Sequence, residues 1–268
     1  MGLEEKVPII TGGASGFGES TARLFSQHGA RVIVADIQFD KGVSLSEDAN
    51  SDEIKISYVH CDVTIDSDVK NVAEFAISKY GKLDIMFNNA GIAGNMDSTI
   101  LGTDNENFKR VFDVNVYGAF LGAKHAAKVM IPAKSGVILF TSSIASVLCG
   151  ERTHAYTASK HALIGLMKNL CVELGQHGIR VNAMSPCAIA TPLMKNALGM
   201  DKSTFDRLIN ESAVLKGVMP EVTDVAAAAL YLASYEAKFV SGLNLLIDGG
   251  YSTTNPVFSM ALKNKLST

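Results

Sequence analysis

Short runs of β-branched and aliphatic residues alternate with longer amphipathic stretches along this chain of 268 residues, and no other feature restricts its fold as strongly. The runs that we interpret as strands are 7–10, 31–35, 56–60, 85–88, 136–141, 180–184 and 243–247. Helical patterns mark 18–28, 67–79, 106–130 and 155–176. Such alternation is typical of βαβ units, whose helices cover both faces of a parallel sheet. We therefore predict an α/β fold with a doubly wound, parallel, seven-stranded sheet.

No repeat, low-complexity tract or linker divides the chain, which predicts a single domain over residues 1–268. Residues 192–221 contain no candidate strand and include apolar side chains such as Leu193, Met194 and Phe205, so we expect a substrate lid there. Pro8 has no N–H to donate to a sheet, so it should lie near the first residue of its strand.

The composition excludes several classes of partner. Apolar residues make up 47% of the chain and the net charge is only −3, without a Lys/Arg run, so we predict a globular protein that binds neither nucleic acid nor a membrane. The four cysteines form no C-x-x-C pair, which favours thiols in a reducing compartment and predicts no metal site. Acidic residues near the start, where a secretory signal has a basic head, predict a cytoplasmic protein.

A glycine-rich turn, I-I-T-G-G-A-S-G-F-G-E-S, joins the first candidate strand to the first helix. Its glycines Gly12, Gly16 and Gly18 allow a sharp turn and a close approach to a pyrophosphate, whose charge is met by free N–H groups at the helix N-terminus. A tight strand-to-helix connection with no ligand has the same local pattern. The position between strand and helix favours a dinucleotide site, and with the predicted sheet it indicates a Rossmann fold.

Asp36 ends the second candidate strand, eighteen residues after Gly18. A carboxylate there accepts hydrogen bonds from the adenosine ribose hydroxyls and repels a 2′-phosphate. The neighbours Ile37 and Gln38 offer no cation for that phosphate. These features predict NAD as the cofactor in preference to NADP, although a capping aspartate is the ordinary alternative.

Tyr156 and Lys160 lie four residues apart in a predicted helix, so both side chains can face the same cleft. A nearby cation favours the phenolate and lowers the pKa of a tyrosine, which lets the phenol act as a base. The pair alone is common on helix surfaces. Two features strengthen it: Ser143 follows a candidate strand, thirteen residues before Tyr156, and Asn115 lies inside a helix, where its propensity is unfavourable.

Taken together, these motifs resemble the classical short-chain dehydrogenase/reductase family. The pattern T-G-x-x-x-G-x-G matches residues 11–18, N-N-A-G matches 88–91, and the family's catalytic tetrad matches Asn115, Ser143, Tyr156 and Lys160. The resemblance implies that Tyr156 is the general base, Ser143 positions the substrate oxygen, Lys160 binds the nicotinamide ribose, and Asn115 holds a water that links Lys160 to solvent. The implied cofactor contacts are Gly12, Ser15, Gly16, Phe17, Gly18, Asp36, Ile37, Asp62, Val63, Asn89, Ala90, Gly91, Tyr156, Lys160, Ile189 and Thr191.

The chain departs from the family pattern at two positions. Cys187 follows Pro186 where the family commonly has a glycine, which puts the backbone path beside the nicotinamide in question. Phe17 replaces a smaller branched residue in the glycine loop. Neither departure removes a member of the tetrad.

Residues 116–136 and 240–256 are similar to a plant subgroup that includes secoisolariciresinol dehydrogenase and terpenoid alcohol dehydrogenases. This resemblance implies oxidation of a hydrophobic secondary alcohol or lactol, and a homotetramer to which the apolar C-terminal segment contributes. Apolar candidate walls at 92–96, 144–149 and 193–200, without an arginine cluster, lead us to expect little pairing for a carboxylate or phosphate. Such residues are also common in a core.

Two other functions remain compatible with the residues. The first is a cyclase or isomerase that retains NAD without net redox chemistry, which the unusual Cys187 keeps open. The second is a dinucleotide sensor without catalysis, which would not need Tyr156 and Lys160. The intact tetrad favours the dehydrogenase.

Overall fold

A computed structural model describes residues 2–48, 55–150, 152–192, 199 and 201–254 of the chain. Seven parallel strands form one sheet in the order β3-β2-β1-β4-β5-β6-β7. The strands are β1 Pro8–Thr11, β2 Arg31–Asp36, β3 Lys55–His60, β4 Ile85–Asn88, β5 Gly136–Thr141, β6 Ile179–Pro186 and β7 Asn244–Ile247. The predicted doubly wound Rossmann sheet is confirmed, and Pro8 stands at the first position of β1 as expected.

Eight helices are described beside the sheet: α1 Gly16–Gln27, α2 Phe39–Asp48, α3 Asp66–Tyr80, α4 Asn105–Phe112, α5 Ala119–Ala133, α6 His154–Gly175, α7 Lys202–Ser212 and α8 Val222–Ala233. A π-helical segment, Asp113–Gly118, joins α4 to α5 within the single helix predicted over 106–130. The predicted helices did not include α2, α7 or α8. In α2 only Gly42 and Leu45 are buried, so the apolar residues of this segment do not recur with the period of a helix, and the pattern does not predict one.

The sheet is buried on both faces because successive strand residues point to opposite sides. Ile9 and Ile33 join a hydrophobic cluster that also contains residues of α3, α5 and α6. Their neighbours Ile10 and Val34 join the opposite cluster, which contains residues of α1 and α8. Burying one such aliphatic side chain contributes about 1.5–3 kcal/mol. The near-continuous apolar strands of the sequence follow from this two-sided burial.

The strand order reverses beside β1, which pairs with β2 on one side and with β4 on the other. The connection after β1 leads to β2 on one side, and the connection after β4 leads to β5 on the other side. A crevice therefore opens between these two loops at the carboxyl edge of the sheet. The loops after β1, β2, β4, β5 and β6 all emerge at this edge. The topology therefore brings together the motifs that are distant in sequence.

Parts of two predicted features lie outside the described residues. In the proposed lid, residues 193–198 and 200 are not described, whereas α7 is. Residues 255–268, which include the apolar C-terminal segment, are likewise outside. Over the part of the chain that the structure covers, no helix combines the length and apolar character that a membrane span requires.

Candidate active site

The glycine turn between β1 and α1 has the shape that a bound diphosphate requires. Gly12 and Gly16 have φ values of 61° and 56°, in the left-handed region that disfavours other residues. A Cβ at Gly18 would lie 2.2 Å from the carbonyl oxygen of Gly12. No side chain fits at Gly18, so the backbone of the turn packs closely in front of the α1 N-terminus; this turn, residues 11–18, is here called the cofactor cradle. This geometry fits a dinucleotide.

Asp36 lies at the carboxyl end of β2 and is buried, with 4% of its surface exposed. Its Oδ2 accepts a hydrogen bond from the Ala14 N–H at 2.9 Å, and its Oδ1 accepts one from the Gln38 N–H at 2.9 Å. The carboxylate is thus fixed against the glycine turn. Ile37, beside it, is 61% exposed and brings no positive charge.

The turn after β4 is tied directly to the glycine turn. Asn89 Nδ2 donates to the carbonyl oxygens of Thr11 and Gly12 at 3.0 and 3.1 Å. The Thr11 Oγ1 accepts from the N–H groups of Asn89 and Ala90 at 3.0 and 3.1 Å. Two loops that are 77–79 residues apart in sequence therefore form one hydrogen-bonded unit beside the cofactor cradle.

Asp62 and Val63 follow β3 at the adenine end of the predicted site. Asp62 Oδ1 accepts hydrogen bonds from the N–H and the hydroxyl of Thr64 at 2.9 and 2.7 Å. The Val63 side chain is buried and faces Gly118, where an added Cβ would lie 2.7 Å from its Cγ2. Val63 can therefore offer the cofactor only its backbone.

Asn115 lies in the π-helical segment, which explains how this amide is accommodated within a long helix. Its Oδ1 accepts from the Ile92 N–H at 2.8 Å, and its Nδ2 donates to the Ile92 carbonyl oxygen at 3.0 Å. The same Nδ2 donates to Ser159 Oγ at 3.1 Å. Asn115 therefore connects the loop after β4 to the helix that carries Tyr156 and Lys160.

Tyr156 and Lys160 lie on one face of α6, near its capped N-terminus. Thr153 Oγ1 accepts from the Tyr156 N–H, although the separation of 3.4 Å is long. Lys160 Nζ lies 5.4 Å from the centroid of the Tyr156 ring. It donates to the Thr141 carbonyl oxygen at 2.9 Å, which holds the ammonium at the end of β5. The two side chains form one unit, as the motif predicts.

Burial dominates the acid–base properties of this pair. It raises the pKa of Tyr156 above the ordinary value, and this outweighs a hydrogen bond with Ser143 and the charge of Arg152, which both lower it. Burial also lowers the pKa of Lys160 to about 8. The sequence predicted Lys160 as the group that lowers the Tyr156 pKa. In the structure the charge that lowers it is that of Arg152.

A cavity of about 90 Å³, here called the catalytic cavity, collects most of the predicted nicotinamide-end residues. Its predicted lining residues are Phe17, Gly91, Ser143, Tyr156, Lys160, Ile189 and Thr191. Gly16 adjoins it, since an added Cβ would lie 3.7 Å from Thr191 Cβ. The other predicted cofactor contacts lie outside this lining, at the carboxyl ends of strands, on the loops after them or at the start of α1: Gly12, Ser15, Gly18, Asp36, Ile37, Asp62, Val63, Asn89 and Ala90.

Cys187, the residue in place of the family's usual glycine, also lines the catalytic cavity. Among the described residues only Glu5 and Lys134 combine a side chain with a positive φ, so the Cys187 backbone needs no glycine. Its N–H donates to the Ile247 carbonyl oxygen at 3.0 Å, which ties the loop to β7. Burial raises the pKa of the Cys187 thiol to about 11, so it is protonated at neutral pH.

A second cavity of about 500 Å³, the outer cavity, adjoins the first. The two share Ile144, Arg152, Cys187 and Ala188. Most of the remaining wall is apolar and comes from α7, the segment after it and the loop around β7: Phe205, Leu208, Ile209, Ala213, Leu215, Val218, Pro220, Leu246 and Ile247. The chain therefore provides an apolar space that opens directly beside Tyr156.

Several residues of the site were not anticipated from the sequence. Ser159 binds Asn115, and Arg152 lines both cavities. Arg152 precedes the N-cap of α6, so helical spacing could not have related it to Tyr156. Phe205, which lies within the predicted lid, is buried and forms part of the wall of the outer cavity.

Comparison with known proteins agrees with this geometry. A family model described as "Enoyl-(Acyl carrier protein) reductase" matches residues 12–252. The chain is 57% identical over 268 residues to short chain aldehyde dehydrogenase 1 of Euphorbia lathyris, covering 97% of this chain and 93% of that protein. It is 53% identical over 259 residues to secoisolariciresinol dehydrogenase of Forsythia intermedia, covering 96% and 93%. It is 48% identical over 256 residues to (+)-borneol dehydrogenase 2 of Salvia officinalis, covering 93% and 90%.

Among solved structures, a 3-ketoacyl-(acyl-carrier-protein) reductase from Brucella melitensis, complexed with NADH, superposes with a TM-score of 0.85. Its sequence is 31% identical, and the match covers 93% of this chain and 99% of that one. The chain belongs to the classical short-chain dehydrogenase/reductase family of oxidoreductases. The predicted resemblance, including that to plant secoisolariciresinol and borneol dehydrogenases, is confirmed.

Proposed function

We propose that this enzyme uses NAD to oxidise a hydrophobic secondary alcohol or lactol, of monoterpenoid or lignan type, to the ketone or lactone. The observation that carries the proposal is the junction of the two cavities. Tyr156, Ser143 and Lys160 line a small cavity that shares a wall with a large apolar one. An alcohol bound in the large cavity can therefore present its hydroxyl group to the tyrosine.

In this mechanism the Tyr156 phenolate accepts the hydroxyl proton of the substrate. Ser143, which hydrogen-bonds Tyr156, positions the substrate oxygen. The bound nicotinamide supplies the hydride acceptor. Lys160, anchored on the Thr141 carbonyl oxygen, binds the nicotinamide ribose and carries positive charge beside the phenol ring. Asn115 keeps Lys160 connected to solvent through a water, and its bonds to Ile92 and Ser159 hold the surrounding loop in place.

The preference for NAD rests on Asp36. Its buried carboxylate, at the end of β2, accepts hydrogen bonds from two backbone N–H groups and so cannot turn away from an incoming ribose. A 2′-phosphate placed there would meet this negative charge, and the adjacent Ile37 offers no compensation. The ribose hydroxyls of NAD could instead donate hydrogen bonds to the Asp36 carboxylate.

The substrate class rests on the outer cavity and on the names of the relatives. The wall is mostly apolar, which favours a terpenoid or lignan skeleton. Relatives at 48–53% identity are named for secoisolariciresinol and borneol.

We further propose a cytoplasmic homotetramer in which the whole chain forms one domain and residues 192–221 act as the lid. Exposed aromatic side chains, such as Tyr117 and Phe120, support association between copies.

The test is a panel of borneol-like and lignan alcohols with NAD and NADP side by side, followed by the absorbance of the reduced nicotinamide. We expect reduction with NAD for at least one apolar secondary alcohol, and a weaker signal with NADP. NAD binding without reduction by any alcohol would contradict the proposal and favour a cyclase or isomerase.

A further inference from the structure

Among the residues that line both cavities, Ile144, Arg152, Cys187 and Ala188, Arg152 is the one with a charged side chain. It precedes Thr153, the N-cap of α6, and is partly buried. It lines the catalytic cavity together with Tyr156 and the outer cavity together with Phe205. Its positive charge acts on the Tyr156 phenol. A substrate that extends from one cavity into the other therefore passes the guanidinium.

Within the described part of the chain, the Arg152 guanidinium forms no ion pair with a carboxylate. The two aspartates that also line the outer cavity are engaged elsewhere. Asp248 accepts from the N–H groups of Gly250 and Ser252 at 3.0 and 2.9 Å. Asp224 accepts from the Glu221 N–H at 2.8 Å. Among the described residues, none accepts a hydrogen bond from the five donors of the Arg152 guanidinium.

We propose that Arg152 is a specificity residue that binds a carboxylate on the apolar substrate while the substrate hydroxyl lies at Tyr156. The proposal rests on the dehydrogenase function above and narrows its substrate to a hydroxy acid with a hydrophobic skeleton. A planar guanidinium matches a carboxylate through two parallel hydrogen bonds, and such pairs are strengthened where water is partly excluded. The expectation from the sequence, that a carboxylate would find little to pair with, is thereby revised.

The experiment compares hydroxycyclohexanecarboxylate, with its two groups on opposite ring carbons, and the neutral methyl ester of the same acid. Both are assayed with NAD on the wild type, on Arg152→Gln and on Arg207→Gln, a control that removes the same charge from an exposed position of α7. We expect the wild type to prefer the acid. Arg152→Gln should lower kcat/KM for the acid by roughly 10- to 100-fold, as for a lost hydrogen bond to a charged group, and change the ester by less than about threefold.

An equal loss for acid and ester would overturn the proposal, because it would mean that Arg152 acts only through the phenol. No loss for either would overturn it as well. Arg207→Gln should behave as the wild type, and thermal unfolding of each variant shows that it is folded.

A binding measurement separates this proposal from the dehydrogenase function. The acid is titrated into the NADH-bound enzyme and the fluorescence of NADH is followed. Binding of the acid that weakens about tenfold or more in Arg152→Gln supports the carboxylate site even if no alcohol is oxidised, in which case only the redox function fails. Oxidation of the ester together with acid binding that is absent, or independent of Arg152, would remove the carboxylate site alone.

Discussion

The cofactor cradle and the outer cavity adjoin each other at the same edge of the sheet, yet they are built by different means. The cradle is held by hydrogen bonds: Asp36 accepts from Ala14 and Gln38, and Asn89 donates to Thr11 and Gly12. The outer cavity is formed largely by apolar side chains such as Phe205 and Leu215, from α7 and the segment after it.

This difference determines how each region can change. A hydrogen-bonded turn accepts few residue types, because each donor and acceptor must keep its partner when it is buried. An apolar wall requires only suitable volume and shape, so its residues can be exchanged at small cost. Chemistry and cofactor are therefore fixed on one side, and substrate choice can vary on the other.

The largest expected effect comes from the residue at the boundary of the two regions. Tyr156→Phe removes the proton acceptor and should lower kcat by roughly 10²- to 10⁴-fold, the range for general acid–base catalysis. The dissociation constant of NAD, measured by calorimetry, should change by less than about threefold, since the ring is retained. Unchanged turnover in this variant would remove Tyr156 from the mechanism.

Cofactor choice should respond to the charge of Asp36. Asp36→Asn keeps the shape of the side chain but removes the charge that faces the ribose, so the ratio of kcat/KM for NAD to that for NADP should fall roughly 10- to 100-fold. Asp40→Asn, at an exposed position of α2, is the matched control and should leave the ratio unchanged. An equal fall with both cofactors would indicate general damage to the glycine turn.

The tight packing beneath the cradle can be tested with a pair of glycines. A Cβ at Gly122 of α5 would lie 1.9 Å from Asn88 Oδ1, whereas one at Gly165 of α6 would meet no atom within 4 Å. Gly122→Ala should lower the free energy of unfolding by about 1–3 kcal/mol through overpacking. Gly165→Ala should raise it by about 0.5–1 kcal/mol through helix propensity. Denaturant titrations measure both, and equal effects would contradict the packing described.

The smallest expected effect lies on the substrate side. Phe205→Ala removes part of the apolar wall, so KM for a bulky alcohol should rise about tenfold, consistent with pocket contacts of 1–3 kcal/mol. The affinity for NAD should stay the same, because Phe205 does not line the catalytic cavity. A parallel loss of NAD affinity would show that the two regions are coupled.

The sequence predicted the hydrogen-bonded region better than the apolar one. All seven strands were located within about two residues, because two-sided burial leaves continuous apolar runs. The glycine turn, Asp36 and the Tyr156–Lys160 pair were identified because their chemistry requires particular residue types at fixed intervals. The structure places these groups at one edge of the sheet, while their roles remain predictions.

Other features left no readable signal in the sequence. The π-helical segment around Asn115 depends on contacts with Ile92 and Ser159, which belong to distant parts of the chain. The apolar walls could not be told from core, because leucine and phenylalanine are used alike in both. The balance of effects on the Tyr156 pKa depends on how deeply the ring is buried, which only the folded structure shows.

Catalysis depends on the bound cofactor making the half-buried Tyr156 phenol acidic enough to act as a base. In the structure, burial raises the pKa of Tyr156 above its ordinary value of about 10. The most direct test is the tyrosinate absorbance as a function of pH, taken as the difference between the wild type and Tyr156→Phe, with and without NAD. We predict a midpoint above 10 without NAD and well below 10 with it. A midpoint that NAD leaves unchanged, or raises, would contradict the account.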